Sequence, residues 1–144
     1  MNRREVIMAA GGAVLASTVG SAFAAGKGHQ HGTELLIQED LARTASDCVR
    51  TGQTTLRLSI NLLEGGDKSM AECGRAAQDL VATCEAMTKM ASFGSRHIGP
   101  MAKIVRDVCI RAEKICSEHK EHKQCLDCAK ACRECADICN KYIS

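Results

Sequence analysis

Apolar side chains return every three or four positions along most of the chain after residue 33, which is the spacing of one face of an α-helix. Short segments rich in glycine or charge separate four such stretches, and no run of useful length alternates with the two-residue period of a strand. We predict helices over about residues 34–64, 69–93, 100–116 and 121–142. Because the connecting segments are short, consecutive helices are expected to run antiparallel, and the pattern predicts an all-α, up-down-up-down four-helix bundle.

Local signals mark the predicted helix starts. Thr33 is a candidate N-cap for the first helix, since its hydroxyl can accept a hydrogen bond from a free backbone N–H. Ser69 and Glu72 have the spacing of a capping box before the second helix, and Asp67 is the other candidate cap. Pro100 fits the first turn of the third helix, where its missing N–H is not needed.

The fourth predicted helix carries five of the ten cysteines of the chain on one face. They are Cys125, Cys128, Cys132, Cys135 and Cys139. Neighbours three or four positions apart on a helix have Cβ atoms roughly 5–6 Å apart, and two metal–sulfur bonds of about 2.3 Å span a similar gap. The stripe therefore favours a soft metal held by thiolates, namely Cu(I), zinc or an iron–sulfur cluster. Small buried core residues are the plain alternative, but alanine or leucine would fill a core without the redox liability.

The other five cysteines also keep helical phase. Cys73 and Cys84 lie eleven positions apart, and Cys109 and Cys116 lie seven apart, so each pair shares one helical face. Cys48 is alone in the first helix, on a stripe that continues with small or polar residues. These faces are expected to approach the same sulfur-lined axis as the fourth helix.

Antiparallel packing sorts the remaining soft donors to the two ends of the bundle. One end collects Met70, Cys73, Cys116, His119, His122 and Cys125, and the other collects Met87, Met90, His97, Met101 and Cys139. We interpret the end with Met70 and the two histidines as the metal entrance, because thioether and imidazole can hold Cu(I) weakly and pass it to thiolates. Packing methionines and solvated histidines in a charged turn are the alternatives.

Residues 1–24 have the features of a bacterial export signal of the twin-arginine type. Arg3 and Arg4 precede an apolar run over residues 6–19, and Ala22 to Ala24 form an A-x-A cleavage site. An N-terminal membrane anchor is disfavoured, since the run is short for a bilayer span. We therefore expect a periplasmic or otherwise extracytoplasmic protein, with a flexible leader over residues 25–33 and a metal-binding bundle over residues 34–144.

Charge and composition narrow the partners. After residue 24 the chain is close to neutral, which gives no reason to propose nucleic acid or an anionic membrane as a partner. Phe93 and Tyr142 are the only aromatic residues after residue 24. A core with so few large rings depends on aliphatic side chains and on whatever fills the sulfur-lined interior, so metal is expected to contribute to packing.

Taken together, the export signal and the cysteine-lined bundle resemble the exported copper storage proteins of bacteria. The resemblance covers essentially the whole chain, and its best segments are residues 79–84, 105–109 and 125–139. It implies a non-enzymatic store that binds multiple Cu(I) ions between pairs of inward-facing sulfurs, and it favours the Met70 end as the copper entrance. The implied ligands are Cys48, Cys73, Cys84, Cys109, Cys116, Cys125, Cys128, Cys132, Cys135 and Cys139, with Met70, His119 and His122 at the entrance.

The resemblance also implies partners and a lower capacity. The family forms assemblies of up to four bundles, so a homo-oligomer is compatible with it, and a copper-requiring enzyme or chaperone is the expected recipient of the metal. Thr55, Ser59 and Ala112 stand at in-phase positions where richly loaded members carry cysteine. We therefore expect fewer ions along the first helix.

Two other classes of function are weaker, namely a zinc or iron–sulfur protein and an enzyme. Zinc needs four ligands in a closed tetrahedral set, and a continuous stripe does not divide naturally into fours. Ferredoxin-like clusters use tighter cysteine spacing with a following proline. The two C-x-x-C pairs at Cys125–Cys128 and Cys132–Cys135 lack the βαβ context of a thiol oxidoreductase, and no Glu-x-x-His pair indicates a di-iron oxidase.

Overall fold

The computed structural model describes residues 28–143, so the predicted export signal lies outside the described residues. Four helices follow one another: α1 (Gly28–Glu64), α2 (Ala71–Ser92), α3 (Ile98–Cys116) and α4 (Lys123–Ile143). No strand occurs between residues 28 and 143. The predicted all-α class is confirmed.

The helices form a closed antiparallel ring. Each packs against the next in sequence, and α1 also packs against α4. Ser59 lies beside Gly74, whereas Gly52, earlier in α1, lies beside Leu80, later in α2, so these two helices run in opposite directions. Between α3 and α4, the Arg133 Nε donates to Glu113 Oε1 at 2.6 Å. The predicted up-down-up-down bundle is confirmed.

The helical stripes seen in the sequence form the core. The α2 stripe is fully buried, and it consists of Cys73, Ala77, Leu80, Cys84 and Met87. Phe93 is instead 69% exposed, so the interior rests on aliphatic side chains and sulfur. Small side chains let the helices come close, because a Cβ added at Gly74 would lie 3.0 Å from Ser59 Cβ.

Two predicted helix caps are wrong. Helix α1 already includes Gly28, the first residue that the structure describes, so the backbone of the predicted leader is helical from residue 28 and Thr33 is no N-cap. No proline interrupts this segment, and a capping residue does not by itself stop a helix. Met70 is the N-cap of α2 and makes no side-chain cap. Asp67 instead accepts a 2.8 Å hydrogen bond from the Ser69 N–H, which shapes the preceding turn and leaves the predicted capping box unformed.

The remaining boundaries agree with the sequence within a few residues. Pro100 is the third residue of α3, in its first turn as predicted. At about 1.5 Å per residue, the 37 residues of α1 span about 55 Å, and α2, α3 and α4 are much shorter. Within the described part of the chain, no helix is both long and apolar enough to cross a membrane.

Candidate metal centre

Ten free thiols fill the axis of the bundle. Each of the ten cysteines is a free thiol, and each has 0% of its surface exposed. They come from all four helices, with one in α1, two each in α2 and α3, and five in α4. All ten cysteines therefore face the interior of the bundle, as expected.

Three thiols from three helices meet at the end of the bundle that holds the turn between α3 and α4. The Cys73 Sγ lies 3.3 Å from the Cys116 Sγ and 3.9 Å from the Cys125 Sγ. A metal ion with two sulfur bonds of about 2.3 Å each spans gaps of this size. This end therefore offers a compact set of soft donors.

A second set lies deeper and takes one thiol from each helix. The sulfur atoms of Cys48, Cys84, Cys109 and Cys135 all lie within 4.8 Å of one another. We call these four residues the waist. Sequence reasoning identified each residue but missed the grouping, because it followed the stripe along α4. The signal that could have found it is the antiparallel register, which brings one cysteine of each helix to the same level.

Cys128 and Cys132 connect the two sets. The Cys128 thiol interacts with the Cys116 and Cys132 thiols, and Cys132 in turn interacts with Cys109 of the waist. Beyond the waist, Cys135 interacts with Cys139. The ten thiols thus form one continuous column along the axis.

Hydrogen bonds within the column separate ionised from neutral thiols. Bonds from the Cys116 and Cys125 thiols lower the pKa of Cys73 to about 3, and nearby His119 and His122 act in the same direction. The pKa of Cys116 is raised by its bonds to Cys128 and Cys73, and that of Cys125 by its bond to Cys73. A thiolate in a buried cluster is stabilised when its neighbours stay protonated and donate to it.

The same arrangement recurs along the column. Cys116 and Cys132 lower the pKa of Cys128 to about 4, with smaller help from the Thr55 and Thr51 hydroxyls. The pKa of Cys135 is also lowered, mainly by hydrogen bonds from Cys109 and Cys139. Since the thiolate is the form that binds metal, the column presents ionised sulfur at several levels.

Hydroxyl and methyl groups, and not thiols, occupy three further core positions that are in phase with the cysteine stripes. Thr55, Ser59 and Ala112 are all buried in the core. The Thr55 hydroxyl donates to the Gln124 carbonyl at 3.1 Å, and the Ser59 hydroxyl donates to the Thr55 carbonyl at 3.1 Å. These groups satisfy backbone acceptors, so α1 contributes a single soft ligand to the column.

The donors predicted for the entrance gather at the end that holds Cys73. The side chains of His119 and His122 are 18% and 26% exposed, with Nδ1 and Nε2 respectively 3.8 and 3.6 Å from Glu121 Oε1. Both histidines are close enough to Cys73 to influence its charge. Met70 differs from a surface donor because it is fully buried, one helical turn before Cys73.

The opposite end is poorer in candidate ligands. Met87 is fully buried, and Met90 and Met101 are partly buried against the core. His97 is exposed at the N-cap of α3. Cys139 is the thiol nearest this end along the α4 stripe. These methionines are placed for packing, as expected.

Comparison with models of protein families gives a match over most of the chain. A sequence model of the copper storage protein family matches residues 36–144. The matched segment contains all ten cysteines, and no curated protein matches the chain individually.

Proposed function

Because the chain belongs to the copper storage protein family, we propose that it stores copper as multiple Cu(I) ions on its buried thiolates, without catalysing a reaction. The observation that carries the proposal is the continuous column of ten buried, free thiols. Thiolate is the soft ligand that selects Cu(I). Burial also keeps bound Cu(I) away from water and oxidants, which suits storage or detoxification.

The capacity follows from how sulfur is shared. If each Cu(I) takes two thiolates and each thiolate bridges two ions, ten cysteines hold up to about ten Cu(I). Thr55, Ser59 and Ala112 lower this number relative to a column with cysteine at those positions.

Copper entry is proposed at the end with His119, His122 and Met70. The two histidines are the partly exposed donors, and Met70 is fully buried one helical turn before Cys73. Imidazole and thioether would bind the ion first, and the more strongly binding thiolates would draw it inward. A copper-requiring enzyme or a copper chaperone is the proposed recipient when the ion leaves.

Export is a further part of the proposal and rests on the signal over residues 1–24. The twin-arginine route carries folded proteins, so the thiols would reach an oxidising compartment already buried. Mass spectrometry of the protein taken from its native compartment tests this step. Free thiols or bound copper are expected, whereas a majority of disulfides without metal would contradict it.

The central test is a titration of the metal-free protein with Cu(I) against a competing Cu(I) chelator. We expect binding of many ions per chain, approaching ten, and we expect Cu(I) to outcompete zinc. Saturation at one or two ions, or displacement of copper by an equal concentration of zinc, would overturn copper storage. The C-x-x-C pairs are fully buried, whereas a thiol oxidoreductase needs an accessible nucleophilic sulfur.

A further inference from the structure

The waist differs from the rest of the column because it is a closed set of four sulfurs. Cys48, Cys84, Cys109 and Cys135 come from α1, α2, α3 and α4 respectively, and their sulfur atoms all lie within 4.8 Å of one another. Each is fully buried. One donor from each of the four helices therefore lies at the same level of the bundle, which a stripe along a single helix cannot provide.

The spacing of the four sulfurs fits a single tetrahedral ion. With zinc–sulfur bonds of about 2.3 Å, the edge of a regular tetrahedron of sulfurs is about 3.8 Å. The separations at the waist are at most 4.8 Å, so a closure of at most about 1 Å per pair brings the set to that size. A rotation of the cysteine side chains supplies such a movement without shifting the helices. An iron–sulfur cluster places several irons and sulfides between its cysteines and needs more room.

Neighbouring thiols are placed to stabilise the charge of such a site. Four thiolates around a divalent ion carry a net negative charge, which is costly in a dry core unless it is hydrogen-bonded. The Cys132 thiol interacts with Cys109, and the Cys139 thiol interacts with Cys135. Both thiols lie outside the set of four and can support its sulfurs through S–H hydrogen bonds, in the way that outer groups support metal ligands.

We propose that the waist is a tetrathiolate site for one divalent ion of the zinc class, occupied in the protein before copper is loaded. Binding such an ion would release the waist protons and hold the four helices at one level. Cu(I) would later displace it, because soft thiolates favour Cu(I) and because the remaining thiols then also become ligands. The site itself needs only the waist and its two donors, whereas its displacement by Cu(I) rests on the proposed copper storage.

Titration of the metal-free protein with Co²⁺ under anaerobic conditions tests the site, because tetrathiolate cobalt has intense charge-transfer and visible bands. We expect saturation at one Co²⁺ per chain and full displacement by one equivalent of Zn²⁺. Cys48→Ser should weaken binding by at least about tenfold and change the spectrum, since it removes the only soft ligand of α1. Cys125→Ser is the matched change of a buried cysteine outside the waist, and it should leave the cobalt spectrum and affinity near those of the wild type.

A second pair of variants tests the donor role of Cys132. Cys132→Ala should weaken Co²⁺ binding by about tenfold, whereas Cys132→Ser, which keeps a donor, should restore most of the affinity. Circular dichroism checks the helix content of each variant, and Cys84→Ser replaces Cys48→Ser if that variant does not fold. Absence of saturable binding, or equal weakening by Cys48→Ser and Cys125→Ser, would overturn the proposal. The Cu(I) titration of the wild type reports on copper storage separately.

Discussion

At the scale of single residues, a hydroxyl in place of a thiol limits what α1 can bind. Thr55 is fully buried, its hydroxyl donates to the Gln124 carbonyl, and it acts on the Cys128 thiol across the α1–α4 interface. A sulfur at this position would therefore join the column. Oxygen in the same place satisfies a backbone acceptor instead and adds little affinity for a soft ion.

Thr55→Cys should raise the copper capacity by about one Cu(I) per chain, because each added bridging thiolate supports about one more ion. The lost hydrogen bond to Gln124 should cost about 0.5–1.5 kcal/mol of stability. Titration against a Cu(I) chelator measures the capacity. Thr54→Cys is the matched control, since Thr54 is exposed and donates only to the Arg50 carbonyl of its own helix. An equal gain in both variants would show that capacity does not depend on the column.

Ionisation of Cys73 gives a prediction for the metal-free protein. Because donation by Cys116 and Cys125 lowers the pKa of Cys73 to about 3, this group is charged above that pH and becomes neutral only below it. Ultraviolet thiolate absorbance should therefore persist as the pH falls from 7 to about 4, far below the ordinary thiol pKa of about 8.5. Cys73→Ser should remove part of this signal. Thiolate absorbance that appears only above neutral pH would contradict the assignment.

At the scale of helices, the pattern of buried positions makes each helix predictable from the sequence. The same pattern does not fix the residue at which a helix begins or ends. The stripe from Cys125 to Cys139 must face the core, and its period alone indicates a helix. The helical backbone at residues 28–33 and the absence of a side-chain cap at Met70, the N-cap of α2, escaped prediction. A capping residue is a local preference worth about 1 kcal/mol, which chain continuity and packing can override.

The grouping of the waist escaped prediction for a different reason. It depends on how far each helix slides along its neighbour, and such a register is fixed by contacts between helices. The approach of Gly74 to Ser59 is one of these contacts, with 3.0 Å between Ser59 Cβ and the position of an added Cβ. A single sequence shows that both residues are small but not that they meet.

Gly74→Val should destabilise the bundle by about 1–3 kcal/mol, since the larger side chain meets Ser59 in a packed interface. It should also weaken Co²⁺ binding at the waist if the register of α1 and α2 shifts. Chemical denaturation measures the stability. Adding Ser59→Gly should recover part of the loss, because it removes the side chain that the introduced valine would press against. No recovery in the double variant would mean that this contact does not set the register.

At the scale of the whole molecule, the two ends of the column are chemically unequal. One end places His119 and His122, each partly exposed, near the ionised Cys73. The other end has His97 on the surface, and its methionines are packed against the core. The column of sulfur atoms is continuous, and its partly exposed imidazole donors lie at the end that holds Cys73. Copper should therefore enter the column from that end.

Replacing His119 and His122 together by Ala should slow Cu(I) uptake and release several-fold, because the exchangeable donors outside Cys73 are lost. The final capacity should stay near that of the wild type, since all ten thiols remain. Met70→Ala is measured separately, because Met70 is fully buried and its loss costs about 2–5 kcal/mol of stability. His97→Ala is the matched control at the opposite end. Stopped-flow transfer from a Cu(I) chelator gives the rates, and slowing by His97→Ala alone would place the entrance at the other end.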